Sequence, residues 1–132
     1  MNSLIVLIGR ILLAVIFILA GFGKLTDISG TAGYFASYGL PGGAATAAIA
    51  GLIELLGGLA ILIGFQTRIA AWVLAAFSVA TALIAHMGWS DMMQLIHFQK
   101  NLAIAGGFLV LATYGPGALS VDARRGWTLA NA

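Results

Sequence analysis

Arg10, Glu54, His86, Lys100 and Asn101 are polar side chains set inside apolar stretches of a 132-residue chain. Glu54 stands alone in "AIAGLIELLGGLAILIGF", with glycines at 51 and 58, one turn to either side. An ionisable group at the centre of a membrane helix costs about 2.5–3.5 kcal/mol on insertion scales. A chain that carries one in each apolar run is expected to pair them in its interior. Two kinds of chemistry fit these residue types. Arg10, Glu54, Lys100 and Asn101 can form a buried polar network, either as an ion tie that fixes helix register or as a pocket or proton path. His86, His97, Lys100, Asn101 and Lys24 can form a ligand site, because they combine a group that titrates near neutral pH with cations and an amide. A quinone headgroup, which takes up electrons and protons together, suits such donors. Two histidines can also ligate haem, but nothing in the sequence sets His86 and His97 across a gap of haem width. No metal site is expected, since two histidines without spaced carboxylates are not a metal signature.

Helical spacing places these groups on shared faces. Arg10, Ala14, Phe17, Gly21 and Lys24 follow a 4-3-4-3 rhythm, and so do Ala47, Gly51, Glu54 and Gly58 in their first three steps. The glycines beside Glu54 leave room for a long partner side chain. Gln94, His97 and Asn101 align in the last apolar run, with Lys100 beside them. At 1.5 Å per residue, Glu54 lies about 15 Å from either end of its helix and Arg10 about 9 Å from one end. Lys100 lies about 13 Å from the other end if its helix starts at Asp91. Arg10 and Lys100 are then the expected partners of Glu54; if the helix starts near Phe98, Lys100 sits near the interface and Arg10 alone is the expected partner. His86 is expected near Lys24 and His97.

The elements that hold these residues are membrane helices. The chain is 61% hydrophobic and 8% charged, with a mean hydropathy of +1.07, whereas soluble domains carry about 25% charged residues. In lipid every backbone polar group must be satisfied internally, so helices or a closed barrel remain. Continuous rather than alternating apolar runs select helices. The fold class is all-α, an antiparallel four-helix integral membrane bundle in one domain over residues 1–132. The spans are expected at about 4–22, 44–65, 69–87 and 92–114. The last start is set either by Ser90 capping a helix from Asp91 or by a later entry near Phe98. A short interfacial helix is expected around Thr31–Tyr38 between spans one and two. The N-terminus lacks a basic leader and carries Arg10 in its apolar run, so it reads as a retained span.

Arg68, Arg124 and Arg125, with Arg10 nearest to them, mark one face, which argues for cytoplasmic termini. Trp72 and Trp127 then lie at the cytoplasmic interface and Trp89 at the outer one. Small residues at packing spacing (Ala50, Gly57, Gly64; Ala71, Ala75, Ala82; Ala103, Gly107) permit close helix approach within the chain or a homo-oligomer seam. A net charge of +2 on so apolar a chain gives no reason to expect nucleic acid. With no cysteine, the chain cannot cycle a disulfide or hold an iron–sulfur cluster by thiolates.

The stretches "GRILLAVIFILAGFGKLTD", "GLP", "IELLGGLAILIGFQTRIAA", His86 and "FQKNLAIAGGFLVLATYGPGALSVD" together resemble the DoxX family over nearly the whole chain. The resemblance implies a four-helix protein of the bacterial inner membrane. It also implies a link to the membrane subunit of a thiosulfate:quinone oxidoreductase and to soluble redox or oxidative-stress partners. The residues it implies are Arg10, Lys24, Glu54, His86, Lys100 and Asn101. The leading expectation is a membrane subunit of a quinone-linked redox system. The alternatives are a non-catalytic scaffold recruiting soluble partners through a tail that includes Asp122 to Arg125, and a small-molecule or proton transporter using Glu54.

Overall fold

A computed structural model describes residues 2–125. Its described residues form helices joined by short connections, with no strands among them. The helices are α1 (Ser3–Thr26), α2 (Ile28–Ala36), α3 (Ala44–Ile63), α4 (Thr67–Ala85), α5 (Met92–Tyr114) and α6 (Val121–Arg124). Four of them, α1, α3, α4 and α5, are long and apolar enough to cross a membrane. α1 packs along α3, α4 along α5, and α3 joins the two pairs by packing on α4. Sequential spans run antiparallel, so one end of the bundle holds α2 and the other holds the start of α1, the α3–α4 turn and α6. These are called the α2 end and the tail end below. Trp127 lies outside the described residues; Trp72 is exposed near the start of α4 and Trp89 near the α2 end.

Local signals set the helix bounds. Asn2 caps α1 by accepting from Leu4 N and Ile5 N. α1 runs one turn beyond the expected Phe22 and so includes Lys24, a cation in its last turn, where the helix dipole favours it. Asp27 then ends α1 and caps α2 through Gly30 N. α2 consequently starts at Ile28, earlier than the expected Thr31. α5 starts at Met92, and its cap is Asp91, which accepts from Met93 N. The later entry near Phe98 is therefore not used.

α3 stops at Gly64, whose φ of +73° is a left-handed conformation that glycine adopts without strain. α4 begins at Thr67, two residues before the expected position. Its cap comes from far along the chain: Asp122 Oδ1 accepts from Gln66 N at 2.8 Å and Oδ2 from Thr67 N at 2.9 Å. A carboxylate at a helix N-terminus is favourable both as an acceptor and against the dipole. In return Asp122 N donates to Gly64 O at 2.9 Å. Asp122 is thus an internal structural group, 1% exposed. Within the tail expected to recruit soluble partners, Asp122 is therefore turned inward, whereas Arg124 is exposed and Arg125 lies over the Phe65 ring at 5.3 Å.

The expected apolar stripes form the core. α1 buries Arg10, Ala14, Phe17 and Gly21, and α3 buries Ala47, Gly51, Glu54 and Gly58 among others. A Cβ at Gly21 would sit 2.5 Å from Leu55 N and 2.7 Å from Gly51 O, so only glycine permits the α1–α3 contact at this height. Ala50, Ala71, Ala75 and Ala82 are buried within this chain. Most of the small-residue spacing is therefore spent on internal packing. Midway down the bundle, Ala14, Phe17, Ile61, Leu74, Ala105 and Phe108 form one apolar cluster. Phe17 and Phe108 meet edge to face at 5.4 Å.

Candidate ligand-binding site

The buried polar groups divide on either side of that apolar layer. Arg10, Thr67, Ser120 and Asp122 lie toward the tail end, and Glu54 and Ser78 toward the α2 end. Arg10 does not meet Glu54. Its Nη1 donates to Pro116 O at 2.7 Å and Leu119 O at 3.0 Å, and its Nη2 donates to Leu62 O at 3.2 Å. Asp122 adds a favourable coulombic interaction. Arg10 therefore ties the N-terminal part of α1 to the C-terminus of α3 and to the segment before α6.

Glu54 is paired with Lys24, whose Nζ lies 2.6 Å from Oε1. The expected partners, Arg10 and Lys100, are both replaced. Side-chain direction explains the exchange. Cα–Cβ bonds tilt toward a helix's own N-terminus. On α1 this carries Lys24 down into the bundle and Arg10 away toward the tail end. On α3, which runs the other way, it carries Glu54 up toward Lys24. Depths counted at Cα positions miss this tilt. Gly51 keeps the channel between them open, since a Cβ there would sit 3.2 Å from Lys24 Cβ.

Lys100 is exposed and lines none of the cavities around Glu54. Helix phase decides this: the neighbouring Asn101 faces inward, its Nδ2 donating to Thr81 Oγ1 at 3.0 Å and Ser78 O at 3.3 Å. Lys100 then points outward, roughly one turn below His97, on the exposed face of α5.

The two histidines do come together, with ring centroids 5.1 Å apart and planes inclined by 36°. His86 Nδ1 and Gln94 Oε1 are 2.8 Å apart. Gln94 Nε2 donates to Tyr38 Oη at 3.5 Å, and the Tyr38 and Tyr34 hydroxyls are 3.3 Å apart. This chain of polar contacts fastens α2 over the ends of α4 and α5. The hydrogen bond to Tyr38, aided by burial, pushes the Tyr34 phenol up to about 12. Tyr34 therefore stays a neutral hydroxyl at ordinary pH.

A cavity of about 230 Å³ lies among the four spans beneath α2. Its polar wall is Lys24, Glu54, Ser78, Thr81, His86 and Asn101, and Phe17, Phe35 and Phe77 supply ring faces. His97 and Lys100 are not part of this lining. Ser78 and Thr81, one turn apart on α4, join the site although neither stood out in the sequence. Isolated hydroxyls in apolar helices usually bond back to their own backbone. Ser78 does not: it is 2% exposed, and its Oγ has no hydrogen-bond partner among the described residues. An apolar groove of about 290 Å³ adjoins the cavity, sharing Tyr34, Phe35, Phe77, Thr81 and Ala85 with it. The groove opens between α3 and α4 past Ile49 and Ile84, both about half exposed. Among the described residues no three His, Asp or Glu side chains gather where they could hold a metal ion.

The model of the DoxX family matches residues 5–87, which span α1 to α4. This chain belongs to the DoxX family. The inner membrane protein YqjF of Escherichia coli K12 is 46% identical over 117 residues, which make up 89% of this chain and 88% of that protein. The inner membrane protein YphA of the same organism is 41% identical over 129 residues, 93% of this chain and 91% of that protein. No solved structure matches the chain. In this DoxX protein the family match takes in Arg10, Lys24, Glu54, Ser78, Thr81 and His86. His97, Lys100 and Asn101, on α5, lie beyond it, although both relatives align through that region by length.

Proposed function

We propose that this DoxX protein is an inner-membrane subunit of a redox system and binds an isoprenoid quinone beneath α2. The observation that carries this reading is the join between a polar cavity and an apolar groove. Such a join suits an amphipathic molecule with a single-ring headgroup and a hydrocarbon tail. The cavity is small beside the roughly 300–1,000 Å³ of drug-sized sites, which favours one ring over several. Quinone carbonyls accept hydrogen bonds. The Lys24 ammonium, the Asn101 amide, the Ser78 hydroxyl and the His86 ring can donate them. When a partner protein supplies two electrons, two protons convert the two carbonyls to hydroxyls, and the hydroxyls then find acceptors in Glu54 and Thr81.

Placement in the inner membrane follows the names of the two relatives. Arg68, Arg124 and Arg125 at the tail end support cytoplasmic termini, which would put α2 and the cavity on the outer side. The transport reading is disfavoured, because the apolar layer around Phe17 and Phe108 separates Glu54 from the tail end. The scaffold reading loses Asp122 as a contact point.

Ser78 gives a clean test, because its hydroxyl serves no protein bond. In Ser78→Ala, thermal stability in detergent should hold, while affinity for a short-chain quinone should fall on the order of 3- to 10-fold, the value of one neutral hydrogen bond. Equal quinone affinity in wild type and Ser78→Ala would remove the headgroup from this cavity.

A further inference from the structure

We infer that the polar cavity exchanges water and protons with one face of the membrane only, the α2 face, through an opening between α1 and α2 beside Lys24. The inference rests on the cavity walls and does not require that the ligand be a quinone. Three observations carry it. First, a hollow of about 310 Å³ between α1 and α2 is lined by Gly23, Asp27, Gly30 and Thr31 and shares Lys24 and Tyr34 with the cavity. A Cβ at Gly23 would meet nothing within 4 Å, so the hollow is open on the α1 side, while Asp27 fills the space beside Gly30. Second, Lys24 stands at its inner end, 23% exposed, with its ammonium 2.6 Å from Glu54, which is 8% exposed. It therefore links a partly wetted group to a buried carboxylate. Third, the way to the tail end is closed. Phe17, Ile61, Leu74 and Phe108 are 6%, 0%, 0% and 0% exposed. Their cluster contains no polar side chain, so no polar group bridges the cavity to the Arg10 and Asp122 ties at the tail end.

The groove between α3 and α4 offers a second, apolar mouth toward lipid. The site thus has separate approaches for a hydrophobic ligand and for protons. Any proton taken up or released at Glu54 is drawn from, or returned to, the compartment that α2 faces. A protein built this way makes ligand chemistry in the cavity sided without carrying protons across the membrane.

The absence of native cysteine makes the test direct. Ser78→Cys and, separately, Thr81→Cys are reconstituted as full-length chains in proteoliposomes whose orientation is fixed by a C-terminal tag. They are then treated with the impermeant, permanently charged reagent 2-(trimethylammonium)ethyl methanethiosulfonate from either side. Both cysteines should react from the α2 side, and from the tail side at least about a hundredfold more slowly, because a cation must cross the apolar layer. Phe108→Cys should react from neither side. Comparable labelling of Ser78→Cys and Thr81→Cys from the tail side, or no labelling from the α2 side, would overturn the inference. Addition of short-chain quinone separates the two readings. Protection of the cysteines supports quinone binding, whereas sided labelling without protection keeps the one-faced cavity and rejects the quinone.

Discussion

Lys24→Met should destabilise the protein in detergent by roughly 3 kcal/mol. Removing one partner of a fully buried ion pair costs about 3–5 kcal/mol, since the other charge is left without compensation. Partial exposure of Lys24 puts the value at the lower end. The reverse change, Glu54→Gln, should cost less. A lysine freed at the end of α1 can lift its ammonium to the interface, but a carboxylate at mid-helix on α3 has nowhere to go. The double change Lys24→Met, Glu54→Gln should recover part of the loss, with a coupling of about 1–3 kcal/mol, because a neutral pair no longer needs compensation. Thermal unfolding of the four proteins gives the cycle. Strict additivity would show that the 2.6 Å pair contributes nothing to folding.

Arg10→Met is the second large effect, and it acts at the other end. Arg10 is 2% exposed and serves three carbonyls contributed by α3 and the segment before α6. Hydrogen bonds to a charged group are each worth about 1.5–3 kcal/mol. Their losses overlap, so a total of roughly 3–4 kcal/mol is expected. Arg10→Lys should rescue little, because one ammonium cannot reproduce a planar fork that reaches carbonyls in two directions. Asp122 would lose its favourable charge partner at the same time, so the segment after Gly117 should become more sensitive to protease. Quinone affinity should not change, since the cavity lies beyond the apolar layer. The Arg10→Met, Glu54→Gln double variant should be additive within about 0.3–0.5 kcal/mol. Leu62, where Arg10 bonds, is eight residues past Glu54 on α3, about 12 Å along the axis. A strong coupling between Arg10 and Glu54 would contradict the division of the polar groups into two sets.

Much of this arrangement was legible in the residues. The runs around Arg10–Lys24 and Ala47–Gly58 announced both their helices and their buried faces, because one apolar-and-small stripe at helical spacing has one way to pack in lipid. Gln94, His97 and Asn101 were correctly aligned, and their contacts with α4 follow from that face. The partner of Glu54 was not legible. Spacing along the chain fixes the heights of Cα atoms, but the pairing depends on which way side chains lean on antiparallel helices. The start of α4 was hidden for another reason: its cap, Asp122, lies 55 residues after Thr67. Ser78 was invisible as a site residue because a serine in an apolar helix ordinarily satisfies itself. Only the packed structure shows its hydroxyl left over.

The central claim is that the cavity beneath α2 holds a quinone headgroup, and photolabelling tests it most directly. Purified full-length protein is irradiated with a short-chain quinone that carries an azide on the ring, and the labelled peptides are mapped by mass spectrometry. Labelling should concentrate on Tyr34–Phe35 and on the Phe77–His86 segment, compete with unmodified quinone, and fall in Ser78→Ala. Label spread over the exposed faces of α1 and α5, or labelling of the cavity segments that neither competes nor changes in Ser78→Ala, would contradict the claim.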